Sequence, residues 1–318
     1  MTSQLQLLPQ NSAQKSTLLS LIALLVGLLA VSLAAIFIRL SERELGPAST
    51  ILDRFLISGI FLWFLINFQA QKNQSSKDTN EQHSTYKFSE WIWLFASGFS
   101  FAPSLLLWAW SLTQTNVANS TILHNMIPIF TALGGWIFLS LRFDRRFLIG
   151  MGIAIIGAIT IGANDIQVDL EHFTGDLAAF SSAILFGAYY LLIEKLRSKF
   201  SATTILFWTC ISGSLFTLPI ALLTEDRILP FSWEGWLSII GLAVIAQVLG
   251  HGLVTYSLKT FSSGFVALCF LLEPVITALI AWGLFSEQLT IISWLGFSIV
   301  LLGLYLAQSS PSIQKASN

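Results

Sequence analysis

Ten apolar runs follow one another along the chain, separated by short polar segments. Each run approaches the roughly 20 residues with which a helix crosses the hydrocarbon layer of a bilayer. Because lipid offers no partner to an unpaired backbone amide, runs of this length predict transmembrane α-helices. The predicted spans lie near 17–39, 51–69, 91–112, 117–139, 147–163, 177–194, 203–223, 235–257, 263–285 and 290–309.

The first run is too long for a cleaved signal peptide. Its apolar stretch from Leu18 to Ile38 exceeds the usual signal-peptide core of about 7–15 residues. We therefore expect it to remain attached as the first transmembrane helix.

The composition agrees with lipid as the solvent. Hydrophobic residues make up 54% of the chain and charged residues 10%, and the mean hydropathy is +0.74. Such a chain would expose too much apolar surface to be soluble. Both cysteines, Cys210 and Cys269, fall inside apolar spans, which favours neither a disulfide framework nor a thiolate metal site. The chain lacks a phosphate-binding glycine loop and an HExxH motif, so neither an enzyme, a cofactor nor a nucleic-acid partner is predicted.

An internal repeat relates the two halves of the chain. Residues 111–157 resemble residues 257–303 at a constant offset of 146. A second match, at offset 154, aligns 48–52 with 202–206, and the polar segment 70–88 explains the change of offset as a loop insertion. Five spans in each half force the halves into opposite orientations. We therefore predict an all-α polytopic membrane protein of ten transmembrane helices, arranged as two inverted five-helix repeats. The identities at offset 146 include Pro128/Pro274, Trp136/Trp282, Ser140/Ser286, Gly150/Gly296 and Gly157/Gly303.

Lysine and arginine are distributed unequally between the two sides that this topology defines. Segments on the side of the N-terminus hold twelve of the sixteen, the opposite side holds Arg39, Arg43 and Arg227, and Arg54 lies inside a span. The positive-inside rule therefore predicts a cell-membrane protein with both termini cytoplasmic. Predicted units are a first repeat over 1–163 with a cytoplasmic loop at 70–88, an acidic external connector over 164–176, a second repeat over 177–309, and a cytoplasmic tail over 310–318.

The end of the repeat resembles a known family pattern. Glu273-Pro274-Val275 precedes Ser286-Glu287-Gln288-Leu289, and Gly296 and Gly303 follow. This resembles the EamA-type repeat of the drug/metabolite transporter superfamily, and Arg54-Phe55-Leu56 is similar to the family's arginine at the start of the second helix. The resemblance implies two inverted five-helix halves and export or exchange of small metabolites. The halves differ, because Ile127, Leu141 and Trp208 stand where the other half has Glu273, Glu287 and Arg54.

Strongly polar side chains inside spans are candidate functional groups, because burying them in lipid costs several kcal/mol. Glu273 lies about ten residues into the ninth span, beside a proline that frees a backbone carbonyl. It is predicted either to bind a proton, a cation or a substrate amine, or to remain a neutral acid that stabilises a kink. Pro128 and Pro274 are interpreted either as discontinuities that line a cavity or as tolerated kinks.

The remaining candidates divide between substrate contact and packing. His124, Asn125, Gln247 and His251 are predicted to form interhelical hydrogen bonds, with substrate contact as the alternative. Two histidines without acidic or thiolate companions make a poor metal site, so no metal is predicted. Arg54 is expected to extend outward to the membrane surface or to pair with Glu42, Glu44 or Asp53, and Glu287 to stabilise a helix start. The aromatic candidates for a cavity wall include Trp108, Trp110, Tyr189 and Tyr190.

The leading hypothesis is a secondary transporter that moves a small amino-acid-like, amphipathic or drug-like metabolite by alternating access. An uptake permease and a nucleotide-sugar-type exchanger stay open, as do a homodimer and coupling to protons or cations. A membrane-embedded transferase would need a His, Asp or Cys cluster at one membrane face, and the sequence has none there. A sensor or assembly subunit would bind ligand without moving it.

Overall fold

The computed structural model describes residues 8–75, 87–115, 117–162, 172–285 and 290–310, and Glu287 therefore lies outside the described residues. The described residues form α-helices and one π-helical segment joined by short connections. The elements are α1 (Leu8–Ser32), α2 (Ala34–Ser41), α3 (Pro47–Ser75), α4 (Phe88–Gln114), α5 (Val117–His124), α6 (Ile127–Leu139), α7 (Arg145–Gly162), α8 (Phe173–Leu196), α9 (Ala202–Thr224), α10 (Trp233–Gly241), the π segment (Leu242–His251), α11 (Gly252–Ser257), α12 (Ser263–Cys269), α13 (Leu272–Phe285) and α14 (Ile291–Gln308).

Nine stretches of helix in the described part of the chain are long and apolar enough to cross a membrane. They correspond one to one with nine of the ten predicted spans. The other predicted span, 147–163, coincides with α7, which is not among the nine and ends where the described residues end. The predicted all-α membrane fold is confirmed, with a count of about ten spans.

Two of the spans are interrupted near their middle, at equivalent places in the two halves. One turn separates α5 from α6 at Asn125–Met126, and another separates α12 from α13 at Phe270–Leu271. Pro128 and Pro274 lie in the first turns of α6 and α13. Proline has no backbone N–H and clashes with the carbonyl four residues earlier, but the first turn of a helix tolerates it. Each proline therefore favours starting a second helix over continuing the first, and each span is a broken helix.

The packing of the helices follows a twofold relation between the halves. Helix α3 packs on α9 and α7 on α14, and each pair joins equivalent helices of the two halves. Helix α4 packs on α8, and its counterpart contact joins α1 to the π segment and α11. The halves are therefore interleaved and do not form separate domains.

Glycines at the α7–α14 crossing show the same relation at atomic detail. An ideal Cβ on Gly150 would lie 2.6 Å from the carbonyl oxygen of Gly303, and one on Gly157 would lie 2.9 Å from that of Gly296. The offset of 146 maps Gly150 onto Gly296 and Gly157 onto Gly303, so a twofold axis exchanges the two contacts. Small residues let the two backbones approach this closely, which is the usual basis of helix association in lipid.

Carboxylates hold one end of the bundle together. Glu225, after α9, accepts hydrogen bonds from the backbone N–H groups of Ala48 (2.7 Å) and Ser49 (3.0 Å) at the start of α3. Glu44 accepts from the backbone N–H and the hydroxyl of Ser232, and the hydroxyl bond is the main cause of a lowered pKa of Glu44. Asp176 accepts from the Thr115 hydroxyl at 2.7 Å. We call this the Glu225 end.

Different groups close the opposite end, which we call the Arg197 end. The Arg197 guanidinium donates to the carbonyl oxygens of Thr255 (2.9 Å) and Phe200 (2.5 Å). Lys199 forms an ion pair with Glu90 at 2.9 Å, and the Ser20 and Thr260 hydroxyls lie 2.7 Å apart. The segments predicted to share one side of the membrane are thus gathered at one end of the bundle. Which end faces the cytoplasm remains a prediction.

The glycine crossing gives a stability prediction. Gly303→Leu places a side chain where an ideal Cβ already lies 2.4 Å from the backbone nitrogen of Ala154, and overpacking of this kind costs at least about 1–3 kcal/mol. Gly152→Leu is the matched control, because a Cβ on Gly152 meets nothing within 4 Å. We expect a lowered melting temperature in detergent for Gly303→Leu alone. Equal melting temperatures of the two variants would contradict the close contact.

Candidate functional site

A buried group of polar side chains lies at the centre of the bundle, and Arg54 of α3 is its charged member. Its side chain is 2% exposed, and its Nε donates a 2.7 Å hydrogen bond to Oε1 of Gln247. The guanidinium carbon lies 5.8 Å from the centre of the Phe101 ring. The prediction that Arg54 extends outward or pairs with Glu42, Glu44 or Asp53 is therefore wrong. The side chain points into the protein, where a neighbouring span supplies its partner.

Glu273 supplies a carboxyl group near Arg54. It lies in the first turn of α13, immediately after the break in the ninth span, and its side chain is half-buried. It is close enough to Arg54 and Tyr190 to interact with them electrostatically. The positive end of the α13 helix dipole also favours a carboxylate at this position. The role of Glu273 as a proton-, cation- or amine-binding group stays a prediction.

The π segment positions Gln247 and His251. Its wider turn departs from the regular α-helical bonding pattern, and such segments occur frequently at functional sites. The Ser58 hydroxyl of α3 lies 3.0 Å from the Ala243 carbonyl oxygen in this segment and 2.6 Å from that of Arg54. Gln247 is fully buried and His251 is 2% exposed, and both face the centre.

Aromatic rings enclose the polar centre. Tyr189 stacks on Phe101 with ring centres 4.3 Å apart and planes 10° apart, and Phe186 lies 5.3 Å from Phe101. The His251 ring lies 5.0 Å from Phe101, and Tyr190 lies 5.3 Å from Phe270. Tyr189 and Tyr190 are fully buried, and the Tyr190 hydroxyl has no hydrogen-bond partner among the described residues. Both tyrosines lie in the interior, and their place in a substrate pathway stays a prediction.

His124, at the end of α5, joins the same cluster from the other half. Its ring stacks on Trp108 with centres 4.9 Å apart, and its Nδ1 lies 2.7 Å from the Ser182 hydroxyl. Because that hydroxyl donates to the Ala179 carbonyl oxygen, we assign Nδ1 of His124 as the donor and Nε2 as the acceptor. Asn125 is buried at the break beside it.

His124 and His251 both have the Phe186 ring as a neighbour, with ring centres 5.5 and 6.2 Å apart. Among the residues that the structure describes, no three His, Cys, Asp or Glu side chains come together in a group that could hold a metal.

A small cavity opens beside Arg54, between α2, α3 and α4. It offers about 10 Å³ to the centre of a water molecule, which is room for about one water. Glu42 lies at its edge in the connection between α2 and α3, and the lining residues also include Thr50, Arg54, Leu105 and Trp108.

Trp110 does not belong to the site. Its side chain is 44% exposed, whereas Trp108, two residues earlier on α4, lines the cavity. The prediction that Trp110 faces a cavity is wrong, because the rotation of α4 directs Trp108 inward and Trp110 to the surface.

Asp53 is a polar residue that the sequence suggested only as a partner for Arg54. It is 1% exposed, and its Oδ2 has no hydrogen-bond partner among the described residues. Its position inside a span, one residue before Arg54, is the sequence feature that could have marked it as a functional candidate.

Fold and site together define a polytopic helical membrane protein with a closed polar and aromatic centre between two intertwined repeats. A family model described as the EamA-like transporter family matches residues 18–163 and again residues 173–308. The chain belongs to this family.

Several curated proteins are similar to the chain. It is 25% identical over 280 residues to an uncharacterized transporter of Archaeoglobus fulgidus, covering 85% of this chain and 91% of that one. It is 27% identical over 196 residues to a probable amino-acid metabolite efflux pump of Salmonella typhimurium, covering 59% and 65%. A GDP-mannose transporter of Arabidopsis thaliana is 30% identical over 131 residues, which cover 41% of this chain and 32% of that one.

A solved structure described as a crystal structure of a protein has the same fold. The TM-score is 0.75 at 14% identity, with 93% of this chain and 98% of the other covered.

The bond between Arg54 and Gln247 gives a second stability prediction. Gln247→Ala removes the acceptor from a buried guanidinium, and a hydrogen bond to a charged group contributes about 1.5–3 kcal/mol. Gln308→Ala, at an exposed position of α14, is the matched control. We expect a lowered melting temperature for Gln247→Ala only. An unchanged value would mean that Arg54 finds another partner.

Proposed function

We propose that this protein is a secondary transporter that moves a small amino-acid-like metabolite across the cell membrane by alternating access. The observation that carries the proposal is the buried guanidinium of Arg54 beside the Phe101–Tyr189 stack, with the carboxyl group of Glu273 within electrostatic reach at the break in the ninth span. Ionisable groups inside a membrane protein usually mark a substrate or ion pathway. Binding sites at the interface of inverted repeats, beside discontinuous helices, are a recurrent feature of secondary transporters.

The charges and rings suit a small zwitterion. Arg54 can pair with an acid group and Glu273 with an amine, while Phe101, Tyr189 and Tyr190 offer faces to an apolar or aromatic side chain. The similarity to a probable amino-acid metabolite efflux pump supports this class of substrate and favours export. We propose export or exchange as the direction.

A nucleotide sugar is the second candidate class. Local similarity to a GDP-mannose transporter supports it, and an arginine can bind a diphosphate. The aromatic centre, however, offers one guanidinium beside a carboxylate, which repels a second negative charge. We therefore place the amino-acid-like metabolite first. Uptake in place of export reverses only the direction of net flux, and a transferase activity has no supporting feature among the described residues.

Proton coupling through Glu273 is testable with one substitution. We expect Glu273→Gln to fold and to lose the dependence of flux on a pH gradient, because the amide keeps the shape but cannot release a proton. The measurement is uptake into proteoliposomes of a metabolite chosen by its thermal stabilisation of the purified protein. Exchange at equal pH is expected to survive.

Glu234→Gln is the matched control, because Glu234 is exposed at the start of α10. Gradient-driven flux that persists in Glu273→Gln excludes this carboxylate as the proton carrier and directs the same test to Asp53→Asn. Loss of exchange together with gradient-driven flux would identify Glu273 as the counter-ion of a cationic group on the substrate.

The membrane orientation is a separate proposal that rests on the distribution of lysine and arginine. Reporter fusions at Ser75 and Ser201 are expected to be cytoplasmic and a fusion at Gln167 external. This places the Arg197 end in the cytoplasm. A cytoplasmic reporter at Gln167 would contradict opposite orientations of the two repeats.

A further inference from the structure

We propose that Arg54 and Trp108 together bind the carboxylate of the substrate, and that the small cavity between α2, α3 and α4 is where this group is held. The inference rests on the proposed transport function and deepens it, because it assigns the acid group of the substrate to two named donors.

Two hydrogen-bond donors beside the cavity are buried without partners. Nη2 of Arg54 and Nε1 of Trp108 are both buried, and neither has a hydrogen-bond partner among the described residues. An unpaired donor buried away from water costs about 1–3 kcal/mol, and more when it is charged. Two such donors on residues that line one cavity indicate a site that an acceptor completes.

Arg54 and Trp108 line the same cavity. Its room for about one water is the space of one carboxylate oxygen, so the cavity must widen slightly to hold the whole group and by more to hold a tetrahedral phosphate. A guanidinium and an indole N–H both donate in their own planes, so they can meet the two oxygens of one carboxylate.

The side chains of Arg54 and Trp108 are held in place by other contacts. Gln247 accepts from Nε of Arg54, which leaves Nη2 for a ligand. The Trp108 ring stacks on His124 at 4.9 Å, and His124 is fixed in turn by Ser182. Side chains that are already fixed by their neighbours lose little further entropy when a ligand binds.

The surrounding charges select a zwitterion over an anion. Glu42 lines the cavity, and Glu273 interacts electrostatically with Arg54. Two carboxylates near one guanidinium repel a dianion, but they attract an ammonium group attached to the bound acid. An α-amino acid meets both conditions.

The test uses three amino acids of different side chains, L-phenylalanine, L-leucine and L-glutamine, each beside its α-amide. Thermal stabilisation and calorimetry of the purified protein give the affinities. We expect at least one acid to bind at least about tenfold more tightly than its amide, because the amide removes the charge that pairs with Arg54.

Trp108→Phe is the decisive variant, since it keeps a ring to stack on His124 and removes only the N–H donor. It should lower the affinity for the amino acid by about tenfold and leave the affinity for the amide unchanged. Trp110→Phe is the matched control on the exposed face of the same helix, and it should change neither. Arg54→Lys keeps the charge without the planar guanidinium and should also lower the affinity for the amino acid.

Three outcomes would overturn the inference: equal binding of every acid and its amide, equal effects of Trp108→Phe and Trp110→Phe, or no stabilisation by any of the three acids. Flux into proteoliposomes separates this result from the transport proposal. Transport of amides as fast as acids would reject the carboxylate site and keep the transporter, whereas the absence of flux for all six compounds would count against the proposed substrate class itself.

Discussion

The guanidinium of Arg54 sets the organisation of the whole centre, because a charged group in a lipid-embedded bundle must find partners inside the protein. Its side chain is almost fully enclosed, and a neighbouring span provides one hydrogen bond through Gln247. A buried charge held by one neutral amide is costly unless further groups face it. The Glu273 carboxylate and the ring face of Phe101 meet part of that requirement, and the open Nη2 leaves part of it to a ligand.

This centre is asymmetric although the scaffold around it is nearly symmetric. At the offset of 146, the counterpart of Gln247 is Phe101, that of Glu273 is Ile127, and that of His124 is Phe270. The counterpart of Arg54 at the offset of 154 is Trp208, which packs on Trp91 at 4.5 Å. Where one half offers a polar group, the other supplies a ring or an apolar side chain. The twofold relation therefore brings polar and aromatic members of the site together, and a substrate with one polar and one apolar part can use both.

Much of the fold could be predicted from the sequence, because its determinants are local or repeated. Apolar runs predict the spans, because backbone groups in lipid must form their hydrogen bonds within a helix. The two prolines mark both broken helices. The repeated glycines of α7 and α14 are visible in the same way, and the structure shows them at the crossing of these helices. Each of these signals is visible without knowing how any helix is rotated.

The site could be predicted only in part, because it depends on helix rotation. In water an apolar stripe shows which face of a helix is buried, but in lipid both faces are apolar and the stripe disappears. Spans such as α8 and α9 have almost no hydrophobic asymmetry around the axis. This is why Trp110 was assigned to the cavity while Trp108 alone lies there, and why Arg54 was expected at the membrane surface.

The contacts at the two ends bear on how such a centre can open. The connection between α4 and α5 binds the start of α8 through Thr115 and Asp176, and the connection between α11 and α12 binds the middle of α1 through Thr260 and Ser20. These contacts join equivalent elements at opposite ends. The Glu225 end relies mainly on carboxylate acceptors, whereas the Arg197 end relies partly on cationic donors to carbonyl oxygens.

Each end is closed by a few hydrogen bonds, each contributing about 0.5–3 kcal/mol. Under the proposed function, a ligand that neutralises the central charges needs to shift only a few such bonds to favour one opening over the other. A ligand shifts such an equilibrium only by the difference between its affinities for the two states, so under the proposed function Arg54 and Glu273 must contact it differently in each.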